Sequence, residues 1–461
     1  MSQTIMPQSS LSVKKWKSYA SYKDSGVERV GEIPKQWEVK RLKYIFKVIS
    51  GSTPKSSESS YWDGNIPWIT PEDLGMLTDN LITTTTRTIT NLGYQSCGTT
   101  LVPVGSLILS TRAPIGHLAI AGTMLCTNQG CRSLVYRNTN NKYFFYYQLL
   151  SAKAELHSRG QGSTFLELGK SKLEAISLVV PPIPEQYAIA TFLNYHTTKI
   201  NTLIAKKEQL IELLQEKRAA LISQAVTKGL DPTVPMKDSG VEWLGEIPEH
   251  WEVKRIKYLA AILRGKFSHR PRNDPRLYNG SYPFIQTGDI TAVTKYITDY
   301  KQTLNELGFS VSKQFPSGTL VMAIAANIGD LAILQFTACF PDSIVGFVPF
   351  SEVSLEYLYY NLMSMKQELM GTATINTQLN INIERIGSLS SVYPPFSEQQ
   401  SIVSYLDQET AKIDALISRI QDGIKKLKEY STALISAAVT GKIDVRDVAE
   451  ESLHGYLGEE P

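Results

Sequence analysis

The chain contains the same unit twice. Residues 23–46 and 237–260 agree at 17 of 24 positions, without gaps, at an offset of 214. A second match begins at the proline pairs Pro181-Pro182 and Pro394-Pro395, at an offset of 213, and resumes at ALISQAVTKGLD and ALISAAVTGKID. Each copy is long enough to bury its own core, so the duplication predicts two similar domains in tandem.

Between the matched ends the two copies diverge, but a shared frame remains. Ile66-Pro-Trp-Ile corresponds to Tyr282-Pro-Phe-Ile, and Gly105-Ser-Leu-Ile-Leu corresponds to Gly318-Thr-Leu-Val-Met. A common frame with different loops is typical of two binding domains that share a scaffold and differ in ligand.

Each copy is expected to be an α+β domain with a curved, mostly antiparallel sheet. Short β-prone runs lie between turn residues, and longer apolar segments are helical in pattern. The predicted strands include 101–104, 106–110, 117–121, 319–323 and 330–334, and the predicted helices are 143–156 and 354–370.

Each copy ends in a long helix with a heptad pattern, predicted over 185–227 in the first copy. The heptad has a second apolar position that would also lie in the seam between the two helices, and it is occupied by Leu203, Ile204, Leu210, Ile211 and Ala225. The residues predicted to pack between the helices are Leu193, Ile200, Leu214, Leu221, Leu406, Ile413, Ile420, Leu427 and Leu434. Lys207 interrupts the first copy where Ile420 stands in the second.

A short linker after the first helix predicts that the two helices run antiparallel. The expected architecture is two globular heads joined by a coiled-coil rod with a pseudo-two-fold axis; the alternative is a seam between two copies of the chain. The predicted divisions are an N-terminal extension (1–22), a first head (23–180), a central helical spacer (181–231), a second head (232–393), a distal helical spacer (394–444) and a tail (445–461).

Motifs for chemistry are incomplete. Gly169-Lys170-Ser171 resembles the end of a phosphate-binding loop, but Thr164 stands where its first glycine is required. Tyr393-Pro-Pro-Phe resembles the base-holding loop of amino-methyltransferases, but begins with Tyr. Pro341-Asp342 lacks the acidic-x-Lys sequence of a nuclease site. Six scattered histidines and four unpaired cysteines predict no metal or disulfide. We therefore expect a non-catalytic binding protein.

The charge pattern favours nucleic acid as the ligand, although the net charge is only +3. Between Lys254 and Arg276, eight basic residues face one acid, Asp274. Dense basic runs bind phosphates, whereas polar side chains on divergent loops read base edges. The candidate DNA contacts are Ser52, Thr53, Lys55, Thr70, Glu72, Arg112, Asn128, Gln129 and Thr164 in the first copy, and Lys266, Arg270, Arg272, Gln286, Thr287, Asp289, Asn327, Asp342 and Thr377 in the second.

The repeated GEIPKQWEVKRLKY and GEIPEHWEVKRIKY, the GSTP turn, IPWITPEDL and PPIPEQ resemble the specificity subunits of type I restriction–modification systems. The resemblance covers residues 23–444 and implies two target-recognition domains that each read half of a split, asymmetric site in double-stranded DNA. It also implies that two methylation subunits and the restriction (translocase) subunits are partners. S-adenosylmethionine, ATP and Mg would then belong to those partners and no cofactor to this chain. Residues 1–22 depart from the family pattern.

Two expectations follow from this resemblance and from the sequence. The rod should act as a ruler for two half-sites whose centres are roughly 34–36 Å apart on one face of the duplex. The protein should be cytoplasmic, because the sequence has neither a signal peptide nor a long apolar run. The alternatives are a two-headed protein-binding adaptor without a DNA role and a self-sufficient methyltransferase or nuclease.

Overall fold

The computed structural model describes residues 16–77, 79–161, 166–325, 327–371, 374–375, 379–380 and 382–448. These residues form two compact units. Unit 1 contains the described residues up to Lys207 and from Asp422 onward, and unit 2 contains Glu208–Gln421.

Unit 1 is built on a mostly antiparallel sheet that is packed on both faces. Its strands are β1 (Tyr22–Asp24), β2 (Glu32–Pro34), β3 (Glu38–Arg41), β4 (Phe46–Ser50), β5 (Trp62–Ile69), β6 (Leu81–Ile82), β7 (Thr88–Ile89), β8 (Leu107–Ser110), β9 (Leu118–Ala121), β10 (Cys126–Thr127), β11 (Cys131–Tyr136) and β12 (Ser177–Val180). The helices are α1 (Leu42–Ile45), α2 (Pro71–Gly75), α3 (Asn91–Gln95), α4 (Lys142–Ser151), α5 (Lys153–Ser158), α6 (Lys170–Glu174) and the long α7 (Ile183–Lys228), with a 3-10 turn at Ser59–Tyr61.

The main sheet of unit 1 has the order β4-β11-β8-β9-β6, and the β6–β9 pair at its edge is parallel. Because side chains alternate along a strand, Leu107 and Leu109 face one core with the aromatic face of α4, whereas Ile108 faces a second core. A smaller sheet, β10-β5-β7, lies beside it, and the candidate residues Thr70 and Asn128 directly follow its strands β5 and β10.

Unit 2 repeats this plan. Its strands are β13 (Met236–Asp238), β14 (Glu246–Pro248), β15 (Glu252–Arg255), β16 (Ala260–Arg264), β17 (Tyr278–Phe284), β18 (Tyr296–Ile297), β19 (Gln302–Leu304), β20 (Gln314–Phe315), β21 (Leu320–Ala323), β22 (Leu331–Leu334), β23 (Ala338–Cys339), β24 (Ile344–Pro349), β25 (Thr374–Ile375), β26 (Leu379–Asn380) and β27 (Ser390–Tyr393). The helices are α8 (Thr287–Thr291), α9 (Glu306–Ser310), α10 (Leu355–Ser364), α11 (Lys366–Gly371), α12 (Ile383–Ser388) and α13 (Phe396–Val439), whose end belongs to unit 1, with 3-10 turns at Ile256–Tyr258 and Pro275–Leu277. The sheet orders are β16-β24-β21-β22-β18 and β19-β17-β23-β20.

The two most similar stretches of the repeat contact each other within each unit. The Trp37 indole N–H donates to the Glu185 carboxylate at 2.8 Å, and Trp251 donates to Glu398 at 2.9 Å. Strand β3 also pairs with β12, and β15 pairs with β27. The entry of each domain therefore fixes the start of its long helix, since a buried indole N–H needs an acceptor.

The long helices run antiparallel, as the sequence predicts. In unit 1, Leu193 near the start of α7 shares a core with Leu434 near the end of α13. In unit 2, Ala225 near the end of α7 shares a core with Leu406 near the start of α13. The α+β class and the paired helices are confirmed.

The nine predicted packing residues are buried or half-buried. Leu193, Ile200, Leu406, Ile413 and Leu434 are buried, and Leu214, Leu221, Ile420 and Leu427 are half-buried.

Two other residues, Leu203 and Leu210, were predicted to pack in the seam between the helices, and this prediction was wrong. They are 44% and 45% exposed. Each precedes an isoleucine that turns inward, Ile204 or Ile211, and neighbours about 100° apart on a helix cannot both face one partner helix.

Two local predictions also need correction. Residues 101–104 form only an isolated bridge between Val102 and Leu125, because Pro103 has no N–H to pair and Gly105 turns the chain at a φ of 85°. The two helices predicted over 143–156 and 354–370 are each interrupted, at Ala152 and Met365, where ψ rises to 8° and 9°.

Candidate nucleic-acid interface

The GSTP turn of unit 1 is held against the loop that follows β10. A Cβ on Gly51 would lie 2.0 Å from the Asn128 carbonyl oxygen, so only glycine fits at this position. The Ser52 N–H donates to the Thr127 carbonyl at 3.0 Å. Asn128 itself turns its side-chain oxygen back to accept from the N–H of Gly130 at 2.9 Å. The predicted residues of both loops thereby meet.

Two buried tryptophans support the same turn from below. The Trp68 indole N–H donates to the Ser52 carbonyl at 2.9 Å, and the Trp62 indole N–H donates to the Lys55 carbonyl at 3.3 Å. The guanidinium of Arg87 lies 3.6 Å from the centre of the Trp62 ring. This exposed arginine is therefore held by a cation–π contact beside the predicted loop.

A bulge in β5 brings Trp62 into this position. Trp62 and Ile66 both pair with Ile89, so the intervening residues form an extra loop within the strand. Asp63 adopts a φ of 59°, a left-handed conformation that Asp and Asn tolerate better than other side chains. A Cβ on Gly64 would lie within 2.7 Å of backbone atoms of Ile89 and Thr90, at the end of β7.

Asp73 fixes the backbone on both sides of this surface. Its buried carboxylate accepts from the N–H and hydroxyl of Thr70 at 2.8 and 2.7 Å, and from the N–H and hydroxyl of Thr86 at 2.9 and 2.7 Å. Burial would raise the pKa of Asp73, but these hydrogen bonds outweigh it and hold the pKa below its usual value. The Thr70 hydroxyl is thus engaged as a helix cap.

Some of the remaining candidates of unit 1 lie beside the GSTP turn or line an open depression with Arg87, whereas Arg112 is held in an ion pair. Thr53 is hydrogen-bonded to Gln129, and exposed Glu72 lines one open depression with Thr70 and Arg87. Arg112 is exposed, but its Nε donates to Glu167 at 3.0 Å. Glu167 also pairs with the largely buried Arg132 at 3.3 Å. Arg112 therefore starts from an ion pair that DNA would have to replace.

Unit 2 repeats the close approach between its two loops. A Cβ on Gly265 would lie 2.1 Å from the Pro341 carbonyl oxygen. The Lys266 N–H donates to the Phe340 carbonyl at 3.0 Å, as Ser52 does at the matching position of unit 1. At this position unit 2 has a cationic side chain where unit 1 has a hydroxyl, whereas the lysine of the unit 1 turn, Lys55, lies three residues further along.

The arginines that follow are paired more extensively than the sequence indicates. Asp342 accepts from Arg270 at 3.4 Å and also pairs with Arg272, and Asp274 accepts from Arg276 at 2.7 Å. The hydrogen bond from the Arg276 side chain is the main reason that the pKa of Asp274 is well below its usual range. The segment therefore has a second neutralising acid, Asp342, from a distant loop.

Gln286 and Gln302 form a neighbouring polar pair, in which the Gln286 amide donates to the Gln302 side-chain oxygen. They line a depression of about 270 Å³ together with Arg272, Thr287 and the ring of Tyr278. Gln302 occupies the position that is equivalent to Arg87. Phe284 of β17 pairs with Gln302, and Trp68, at the equivalent position of β5, donates its N–H to the Arg87 carbonyl.

Two further candidates of unit 2 are engaged locally. Asp289 accepts from the N–H of the N-cap residue Gln286 at 2.8 Å, as Asp73 accepts from the N–H of the N-cap residue Thr70 at the start of α2. The Asn327 amide donates to the Thr291 hydroxyl at 2.9 Å, at the other end of α8 from Gln286. Thr164 and Thr377, predicted to form a further DNA-facing loop, lie outside the described residues.

Sequence reasoning missed Arg87 and Gln302. Gln302 lies in the short strand β19 and Arg87 directly before β7, and both are within polar segments that carry no motif. Only the structural alignment of β7 with β19 brings them to the same place, beside Thr70 and Gln286.

The described residues contain no group of His, Cys, Asp or Glu that could hold a metal ion. Cys126, Cys131 and Cys339 are buried and unpaired, and burial raises the pKa of the Cys126 thiol to about 11. In the same part of the chain, no helix is long and apolar enough to span a membrane.

A family profile described as the type I restriction modification DNA specificity domain matches twice, at residues 34–213 and 248–426. The type I restriction enzyme MjaIX specificity subunit of Methanocaldococcus jannaschii is 29% identical over 436 residues, covering 91% of this chain and 96% of that protein. The EcoR124I/EcoR124II specificity subunit of Escherichia coli is 25% identical over 208 residues, covering 43% of this chain and 50% of that protein.

The fold has a counterpart among solved structures. A chain from a study of complex assembly and conformational transition in a type I restriction–modification system aligns with a TM-score of 0.68 at 16% identity, covering 88% of this chain and 98% of that one. Specificity subunits are the non-catalytic, DNA-recognising components of type I complexes. The two profile matches cover most of the sequence, and this chain belongs to the family of type I restriction–modification specificity subunits.

Proposed function

We propose that this chain reads a bipartite, asymmetric site in double-stranded DNA, with one half-site recognised by each unit. The observation that carries the proposal is one scaffold with different side chains at matched positions. Arg87, Thr70 and Ser52 of unit 1 correspond to Gln302, Gln286 and Lys266 of unit 2. An identical frame that carries different polar groups is suited to two different sequences.

The chemistry of these groups fits base reading. An arginine fork suits the O6 and N7 atoms of guanine, whereas a glutamine amide suits the N6 and N7 atoms of adenine. The cation–π contact with Trp62 orients Arg87 before binding, which lowers the entropy lost on contact. Lys55 and Lys266, on the equivalent turns, are placed to neutralise phosphates.

The long helices are proposed to dock two methylation subunits, and the restriction subunits join the resulting complex. Exposed apolar side chains along the helices support this proposal, since water-facing leucines on a long helix are typical of an interface. They are Leu203, Leu210, Leu213 and Leu416. S-adenosylmethionine, ATP and Mg belong to those partners in this proposal, and the complex acts in the cytoplasm.

The decisive experiment is long-read mapping of methylated adenines in cells that express the methylation subunit with or without this chain. We expect a split motif that appears only when the chain is present. A chimaera in which residues 51–129 replace 265–342 should change one half of the motif and leave the other half intact. The wild-type chain expressed from the same vector is the control.

Two outcomes would contradict the proposal. Methylation that is independent of the chain would remove its role in specificity. A gel shift in which the chain with its methylation subunit binds no duplex at any salt concentration would favour a protein-binding adaptor instead.

A further inference from the structure

Unit 1 contains a polar cavity of about 670 Å³ between α4 and the start of α7. Its walls include Tyr146 and Tyr147 of α4, Asn194 of α7, and Asp79 and Asn80 just before β6. Among the described lining residues, Asp79 is the one with a formal charge, so the cavity combines aromatic faces with a single negative group.

Unit 2 has an equivalent wall of tyrosine and long-helix side chains, so the residues at matching positions of the two sites can be compared. The Tyr147 hydroxyl donates to the Asn194 side-chain oxygen at 2.9 Å. At positions 213 residues later, the Tyr360 hydroxyl donates to the Asp407 carboxylate. The tyrosine is retained, but the amide of unit 1 has become an acid in unit 2.

The facing wall differs as well. The Asn80 carbonyl accepts from the Ile120 N–H at 2.7 Å, and the Lys295 carbonyl accepts from the Ile333 N–H at 2.8 Å. Since Ile120 and Ile333 occupy equivalent strand positions, Asn80 stands where unit 2 has Lys295.

Lys295 fills the site in unit 2 with its own ammonium group. Its side chain is only 12% exposed and is ion-paired with Asp407. The ammonium lies 4.9 Å from the centre of the Tyr360 ring and 5.7 Å from that of Tyr359. An acid and two tyrosines thus surround a lysine at this point of the fold.

A second cation, Arg218, also occupies the equivalent site of unit 2. The Arg218 guanidinium, 19% exposed, lies 3.1 Å from the Asp414 carboxylate. The matching positions of unit 1, 213 residues away, are Ser431 and Asn201, and Ser431 and Asn201 both line the cavity. Unit 1 therefore keeps the tyrosines and lacks both of the cations that occupy unit 2.

We propose that the unit 1 cavity binds a lysine or arginine side chain of a methylation subunit, in the place that Lys295 takes in unit 2. Asp79 and the amide oxygens of Asn194 and Asn201 accept its hydrogen bonds, and the rings of Tyr146 and Tyr147 face its charge. This inference rests on the proposed docking of methylation subunits. It makes the two units unequal as docking sites, because unit 2 supplies its own cation.

The test fills the cavity with the residues that unit 2 uses. The double variant Asn80→Lys/Asn194→Asp introduces an ion pair without an orphan charge. Isothermal titration of the full-length chain with purified methylation subunit should show at least tenfold weaker binding at one of the two sites. Asp79→Asn, which removes charge without adding bulk, should weaken the same site three- to tenfold.

The matched control is made in unit 2. Lys295→Asn/Asp407→Asn removes both partners of its ion pair but leaves the Arg218 cation in the site, so both affinities for the methylation subunit should be unchanged. Thermal unfolding and duplex binding of every variant check that the fold is retained. Binding by the filled variant and by Asp79→Asn that equals wild type would overturn the proposal.

Two other results are distinguishable. A wild-type chain that binds no methylation subunit would overturn the proposed function and this inference together. Spermidine that raises the melting temperature of wild type but not of the filled variant, while both bind the subunit equally, would assign the cavity to a small amine and overturn the partner side chain.

Discussion

Arg87 is the residue whose role depends most on its surroundings. Its guanidinium is oriented by Trp62, so Arg87→Ala removes the proposed base-reading fork together with a charge. We expect a loss of about 1–3 kcal/mol in the binding of one specific sequence, with relaxed specificity at one base pair of one half-site. Competition binding with single-base variants of the mapped site measures this loss.

Arg87→Lys is the matched control, because it keeps the charge and loses the fork. It should retain binding to non-specific duplex but share the relaxed specificity of the alanine variant. Uniform weakening on all sequences by Arg87→Ala, with binding by Arg87→Lys close to wild type on all of them, would instead assign Arg87 to a phosphate contact.

Asp73 should matter for stability in a pH-dependent way. Asp73→Ala leaves the part-buried N–H groups of Thr70 and Thr86 without their charged acceptor, at a cost of about 1.5–3 kcal/mol. The folded pKa of Asp73 is lowered, so its contribution is complete above the unfolded pKa and is lost as pH falls through the folded pKa.

Hydrogen exchange of residues 70–90 measures this effect. In wild type, protection should be constant near neutral pH and fall in the acid range, whereas Asp73→Ala should be poorly protected at both. Equal protection of wild type and variant at pH 7 would contradict the anchoring role of Asp73.

Single residues mark where sequence reasoning stopped. Loops rich in Ser, Thr, Asn and Gln could be predicted because they diverge between the copies. The ion pair of Arg112 with Glu167 and that of Arg272 with Asp342 could not, since each joins loops far apart in sequence. Arg87 was missed because its orientation comes from a ring in another strand.

At the level of elements, the long helices were the most predictable part. The heptad pattern over 185–227 corresponds to α7, Ile183–Lys228, because a repeated apolar stripe is a local signal. Short strands such as β6 and β10 are two residues long and form through pairing with distant strands, so their sequences carry little signal.

The α7 stripe offers a stability prediction with an internal control. Leu193 is fully buried, so Leu193→Ala should lower the free energy of unfolding of unit 1 by about 2–5 kcal/mol. Leu203, at 44% exposure on the same helix, should cost well under half of that when replaced by alanine. Thermal denaturation of both variants compares them, and equal losses would show that the exposed face is packed in solution.

For the whole molecule, α7 and α13 are the elements that pass from one unit to the other. Deleting one heptad from both helices removes about 10 Å from each, at 1.5 Å per residue. If helix length sets the distance between half-sites, the unread spacer of the methylated motif should shorten by about three base pairs, at 3.4 Å per base pair. Methylome mapping of the double deletion checks this prediction.

A deletion in α7 alone is the control, because it mismatches the two helices and should reduce methylation rather than redefine the motif. An unchanged methylated motif after the double deletion would contradict the prediction that helix length sets the distance between the half-sites.

Unit 1 is made from two stretches of chain that are separated in sequence by all of unit 2. Its core joins Phe192 and Leu193 to Ala438 and Val439, and Lys17 bridges to Asp444. During synthesis on the ribosome, unit 2 can therefore finish folding while the first-made domain still lacks its closing segment. A nascent chain halted before Ala438 would expose that apolar surface, so the first domain to be synthesised would be the last to complete its core.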